Sequence, residues 1–153
     1  RTINPVNKAL PWPQFCCLQQ RYTYVQPRFG QRVVPPQEYV TEELLDYIRA
    51  RKGGMTLLAY SVLLSGAYTR SDRPMPDAYD NPDNAARLET LRAIAQETGV
   101  TANQVVLAWM MQSVPSVVPL IASSTHAQLA ENLDALELTL SADQMERLNA
   151  ASA

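Results

Sequence analysis

Residues 55–70 read MTLLAYSVLLSGAYTR, an apolar run that reaches a polar tip at Tyr60-Ser61 and breaks at Ser65-Gly66 into a polar loop. The pattern predicts a buried strand over residues 55–63 that presents small polar groups at its carboxyl end, the way α/β barrels build ligand sites. A core strand followed by a turn accounts for the same letters. The flanking segments decide between the two readings.

Upstream, residues 15–23 (FCCLQQRYT) mix β-formers with a polar centre and predict a strand. A Pro-, Gly- and Gln-rich loop covers residues 25–40, and residues 41–51 (TEELLDYIRAR) then predict a helix. Acids fill its first turn, arginines its last, Leu44, Leu45 and Ile48 form its stripe, and Gly53-Gly54 stop it. Residues 1–14 carry three of the 11 prolines and no clear period, so they read as an irregular entry segment.

Downstream, residues 66–82 have the length and composition of a loop over a site or of a surface excursion. Asn81-Pro82 supplies an N-cap and a first-turn proline for a helix to about Thr98, with Leu88, Leu91, Ile94 and Ala95 as its apolar face and Gly99 as its end. Thr101 with Gln104 makes a capping box for TANQVVLAWMMQ, a helix apolar nearly all round and therefore buried. Residues 116–121 (SVVPLI) predict a short buried strand in which Pro119 marks an end or a bulge. Thr125/Gln128 and Ser141/Gln144 make two further capping boxes, opening helices with stripes Leu129, Leu133, Leu136 and Met145, Leu148. Strands alternating with helices imply parallel pairing in an α/β fold.

A chain of 153 residues fits one domain with a real core, and 46% hydrophobic against 18% charged residues is a globular balance. A net charge of -2 offers nucleic acid or an anionic membrane no electrostatic footprint. No apolar run has spanning length, and the first residues do not form a signal peptide. Cys16 and Cys17 are adjacent, which argues against a disulfide between them and for reduced thiols in a cytoplasmic protein. Without a CxxC or His/Cys cluster a structural zinc site lacks ligands.

With three strands in place, the chain resembles the C-terminal part of an aldo-keto reductase. The resemblance covers nearly everything from Phe15 to Ala153, and rests on LQQRY, TLLAYSVLLSGAYTR, TANQVVLAWMM, and VVPLIASSTHAQLAENLDAL followed by LSADQMERL. It implies a partial (β/α)8 TIM barrel, parallel strands with flanking helices, spanning residues 1–153 as the last three of the barrel's strands. It also implies a nicotinamide cofactor, NADPH with NADH possible. In the family, the residue matching Gln19 holds the nicotinamide carboxamide, and the aromatic matching Tyr60 stacks on the ring. Ser61, Val62, Leu63 and Ser65 occupy the segment that meets the pyrophosphate, and Arg70 in the following loop is within reach of a phosphate. Ala122, Ser124, Gln128, Glu131 and Asn132 form the last cluster. The Ser124-to-Gln128 turn suits the adenosine 2′-phosphate, and Glu131 and Asn132 match residues that meet the adenine.

Each of these residues also has a plain reading: Gln19 as a barrel-interior amide, Tyr60 as a core tyrosine, Arg70 as a solvated side chain, Gln128 as half of a capping box. The chain departs from the family at Val62, where most members have proline, and at Ala122, where glycine is frequent. Thr125 and Gln128 stand where basic residues commonly read the 2′-phosphate, which puts an NADPH preference in question. The family's catalytic tyrosine, lysine, aspartate and histidine sit on earlier strands and have no counterpart here. His126, the only histidine, reads as a surface residue at a helix start. The expectation is a cofactor-binding portion of an NAD(P)H-dependent aldehyde or ketone oxidoreductase, not competent alone, with an open inner face that another segment or chain completes. The alternative is a truncated non-catalytic paralogue acting as a binding or scaffold subunit.

Overall fold

The computed structural model describes residues 15–28, 30–31, 37–51 and 54–151. The expected entry segment (residues 1–14), residues 29 and 32–36 of the expected loop 25–40, and Gly53 of the expected helix stop lie outside them. Three parallel strands form one sheet in the order β1-β2-β3: β1 is Cys17–Arg21, β2 Thr56–Tyr60 and β3 Val117–Pro119. Helix α1 (Glu42–Arg49) links the first pair. Helices α2 (Pro82–Thr98) and α3 (Ala102–Gln112) link the second. Helices α4 (His126–Asp134) and α5 (Ala142–Ala150) follow β3. This is the parallel α/β arrangement expected from the order of elements.

The strands are shorter than the apolar runs that suggested them. At Ser61 the backbone turns left-handed (φ 59°) and the Leu64 amide bonds back to the Ser61 carbonyl, so Val62 and Leu63 belong to a turn and not to β2. Pro119, which has no N–H to give a ladder, is the last residue of β3.

Register explains what is buried. Leu57 pairs with Leu18 and Val117, Leu58 with Gln19 and Val118. Successive side chains point to opposite faces, so Leu57, Ala59 and Val117 share the outer face, and Gln19, Leu58, Tyr60 and Val118 the inner one. The outer face is sealed together with Ile94, Val105, Met110 and Leu148 into one core. Every residue of α3 from Ala102 to Met110 is buried, the polar Asn103 and Gln104 of its first turn included, in keeping with a sequence apolar nearly all round. The inner face is open: Gln19 is exposed and Val118 keeps 45% of its surface.

Caps set the helix ends. The Asn81 side chain accepts from the Asn84 amide, and Gly99 closes α2 in the left-handed conformation (φ 69°). The capping boxes at Thr101/Gln104 and Ser141/Gln144 are complete. The one expected at Thr125/Gln128 is half made: Thr125 Oγ1 accepts from the Gln128 amide, but the Gln128 side chain turns to Ser124 instead of returning to the cap. The α4 stripe also departs from expectation. Leu129, Leu133 and Leu136 are exposed, and among α4 residues only Asn132 is buried, because the helix meets α3 through another face.

Among the described residues, no helix is long and apolar enough to cross a membrane, and no group of three His, Cys, Asp or Glu side chains is placed to hold a metal ion. Cys16 and Cys17 are both free thiols and exposed.

Candidate functional site

The carboxyl ends of β2 and β3 open into a cleft of about 630 Å³. One wall is the turn after β2, the other the segment between β3 and α4. Ser61, Leu64 and Ser65 all have left-handed backbone (φ 59°, 48° and 58°), followed by Gly66 at φ 93°. Such a conformation costs a non-glycine residue about 1–3 kcal/mol and clusters at functional sites. The amides of Leu64, Gly66 and Ala67 bond back to the carbonyls of Ser61, Leu63 and Leu64, which closes the turn on itself beside the cleft. Gly66 serves a second end: a Cβ there would come within 2.8 Å of Arg70 Cδ. The arginine stem therefore lies directly over the turn.

Of the residues singled out by sequence, Ser61, Val62, Leu63, Ser65, Arg70, Ala122, Ser124, Gln128, Glu131 and Asn132 all line this cleft. Gln19 and Tyr60 do not; they stand on the inner face of the sheet, two residues before Arg21 and one before Ser61. The Val62 side chain is buried in the core, so its contribution to the cleft is backbone. Arg70 is not a bare solvated cation. Its Nε and Nη2 donate to the two carboxylate oxygens of Asp72 at 2.9 and 2.6 Å, which holds the guanidinium above and the carboxyl below their ordinary values. Both groups are exposed, so the pair adds little to stability.

The opposite wall is held by its own polar groups. Gln128 Oε1 accepts from both the amide and the hydroxyl of Ser124 at 2.9 Å, leaving neither donor free for a phosphate. Asn132 Nδ2 donates to Ser123 Oγ at 3.1 Å, and Glu131 Oε1 accepts from Thr101 Oγ1 at 2.7 Å, tying α4 to the start of α3. Sequence reasoning missed Leu64, Thr69, Arg73, Asn103 and Ser123, which also line the cleft. Asn103 is the informative one. It is buried, its Nδ2 donates to Thr69 Oγ1 at 3.2 Å, and its Oδ1 has no partner. A buried acceptor without a donor is costly, and a ligand N–H or O–H in the cleft would satisfy it.

Burial pushes Tyr22 and Tyr24 up to about 12, and Tyr68 upward as well, away from neutrality. His126 is exposed at the first residue of α4. A second crevice of about 520 Å³ lies on the helix side, around the stacked rings of Tyr22 and Trp109. It shares no residue with the cleft.

The aldo/keto reductase family profile matches residues 2–153. A protein of Aspergillus clavatus named a probable NAD(P)H-dependent D-xylose reductase is 32% identical over 131 residues, 85% of this chain and 37% of its own length. An uncharacterized oxidoreductase of Mycobacterium tuberculosis is 36% identical over 108 residues, 63% of this chain and 33% of that protein. Among solved structures, a thermostable aldo-keto reductase in complex with the inhibitor epalrestat superposes with a TM-score of 0.58 at 28% identity, over 89% of this chain and 39% of that one. A mutant of Gox0644 in complex with NADPH superposes with a TM-score of 0.59 at 19% identity, over 95% and 41%, a likeness of fold. The chain thus spans well under half the length of these relatives. Its sheet order, its helices and its sequence agree on one conclusion: the chain belongs to the aldo/keto reductase family.

Proposed function

We propose that the cleft binds the dinucleotide cofactor of an NAD(P)H-dependent carbonyl reductase. The observation that carries this reading is the meeting of two distant stretches, residues 61–70 and 122–132, in one cavity. Its volume falls in the range of about 300–1,000 Å³ usual for small-molecule sites. The left-handed turn at Ser61–Gly66 receives the diphosphate, Arg70 and Arg73 flank it, and Glu131, Asn132 and the unpartnered Asn103 Oδ1 take the donors of the adenosine end. Gln19 and Tyr60 on the inner face position the nicotinamide, an amide for the carboxamide and a ring for stacking. The bound cofactor supplies a hydride; these residues bind and orient. That relatives are named NAD(P)H-dependent, and that a structural neighbour was solved with NADPH, supports the assignment.

In this reading the chain is the C-terminal part of a longer barrel, at work in the cytoplasm. Its open inner face is covered by strands beyond these three, which also bring the proton-donating groups. Support comes from the exposure of Gln19 and Val118 and from the 37% share of the first relative's length. The test is titration of the purified protein with NADPH and NADH, followed by the cofactor's own fluorescence, with intact mass on the same sample. Saturable binding is expected. A folded protein that binds neither nucleotide contradicts the proposal.

A further inference from the structure

Arg21, the last residue of β1, is buried at 7% exposure, and its hydrogen-bond partners among the described residues are all neutral. Nε donates to Tyr79 Oη at 3.3 Å, and Nη1 to Gln37 Oε1 at 3.1 Å and to Ser61 Oγ at 3.2 Å. The Tyr39 ring stacks on the guanidinium at 5.7 Å, and the Tyr39 and Tyr79 hydroxyls share a bond at 2.8 Å. Among the described residues no carboxylate reaches Arg21, and the residues outside them include no Asp or Glu. Burial disfavours the charge, yet the tyrosine hydroxyls outweigh it and hold the guanidinium above its ordinary value. A buried cation surrounded only by dipoles keeps an excess positive potential, which an incoming anion relieves.

Of these partners, Ser61 lines the cleft. A serine hydroxyl has one proton and two lone pairs. Since Arg21 supplies a donor to Ser61 Oγ, the Ser61 proton remains to be given away, and the nearby charge strengthens it as a donor. The same bond braces Ser61 in its left-handed backbone (φ 59°).

We propose that Arg21 is a positioning residue for anion recognition, which aims the Ser61 hydroxyl at the diphosphate of a nucleotide and backs it with an unneutralised buried charge. This rests on the cofactor-binding reading and extends it to a residue outside the cleft lining. The probes are ADP and adenosine, which differ only in the diphosphate, titrated by calorimetry into the wild-type protein and into Arg21→Gln, Ser61→Ala, the double variant and Arg21→Lys.

Arg21→Gln is expected to weaken ADP about tenfold, the worth of a charge-assisted hydrogen bond, with adenosine unchanged. Ser61→Ala should lose a similar factor, the double variant no more than the larger single loss, and Arg21→Lys should recover part of it through its charge. Equal ADP affinity in wild type and Arg21→Gln overturns the proposal, as does an equal loss of adenosine and ADP, which marks a structural role. If Arg21→Gln does not fold, Ser61→Ala decides: unchanged ADP affinity overturns the proposal, and a diphosphate-specific loss sustains it. A wild-type protein that binds neither ADP nor NADPH overturns the cofactor reading itself, and this inference with it.

Discussion

On the outer face of the sheet Leu57, Ala59 and Val117 are at most 1% exposed, whereas on the inner face Val118 keeps 45% of its surface and Gln19 is open. The same three strands build both faces, and their residues alternate one by one between them. The contrast therefore lies in what is laid over each face. Helices from this chain cover the outer one and bury it in a core with Ile94, Val105 and Leu148. Stability and function separate accordingly. The outer face holds the fold, and the inner face with its carboxyl rim carries the groups read as binding the ligand.

That separation has a direct mutational form. Leu57→Ala removes a fully buried side chain and should destabilise the protein by about 3 kcal/mol, whereas Val118→Ala on the open face should cost less than about 1 kcal/mol. Urea unfolding of the two variants measures the difference. Equal losses would mean that the inner face is as well packed as the outer one and that the contrast is false.

A second effect comes from the buried tyrosines, two of which sit on the helix side. Tyr24 is fully buried against Trp109, Tyr22 partly so, and burial raises both to about 12. In the unfolded chain a tyrosine ionises near its ordinary value of about 10, so the stability conferred by the neutral folded rings is complete below that pH. It is lost as pH rises toward 12, by roughly 2 kcal/mol per ring. Thermal unfolding followed from pH 8 upward should show Tm falling from about pH 10. Tyr24→Phe should flatten the fall, and an unaltered profile in that variant would refute the assignment.

The rim should respond to ligand and not to stability. Gln128 offers a 2′-phosphate no charge and already occupies both donors of Ser124. Gln128→Arg frees them and adds a cation, and should shift the NADPH-to-NADH affinity ratio about tenfold toward NADPH while leaving unfolding within about 0.5 kcal/mol of wild type. An unchanged ratio would place the 2′-phosphate elsewhere.

Much of this contrast was legible in the letters. The apolar run through TLLAY and the largely apolar TANQVVLAWMM identify a strand and the helix that covers it, and Asn81, Thr101 and Ser141 cap their helices as their spacing requires. The misses share a cause, dependence on residues far away in sequence. Periodicity gives α4 its Leu129, Leu133, Leu136 stripe but not a cover for it. Asn103 reads as a first-turn residue of a capped helix; only its contact with Thr69 and its unpaired Oδ1 mark it out. Arg21 within LQQRY looks like a surface charge until Tyr79, 58 residues on, closes over it. The left-handed turn at Ser61, Leu64 and Ser65 has no glycine at those positions to announce it.

Whether a dinucleotide occupies the cleft at the carboxyl ends of β2 and β3 is decided by amide chemical-shift mapping of the isotopically labelled protein with NADH. Shifts are expected to concentrate in residues 61–66 and 122–132, with Asn103 among them and the Tyr22–Trp109 crevice silent. Shifts confined to that crevice, or none at saturating NADH, would contradict a dinucleotide in the cleft.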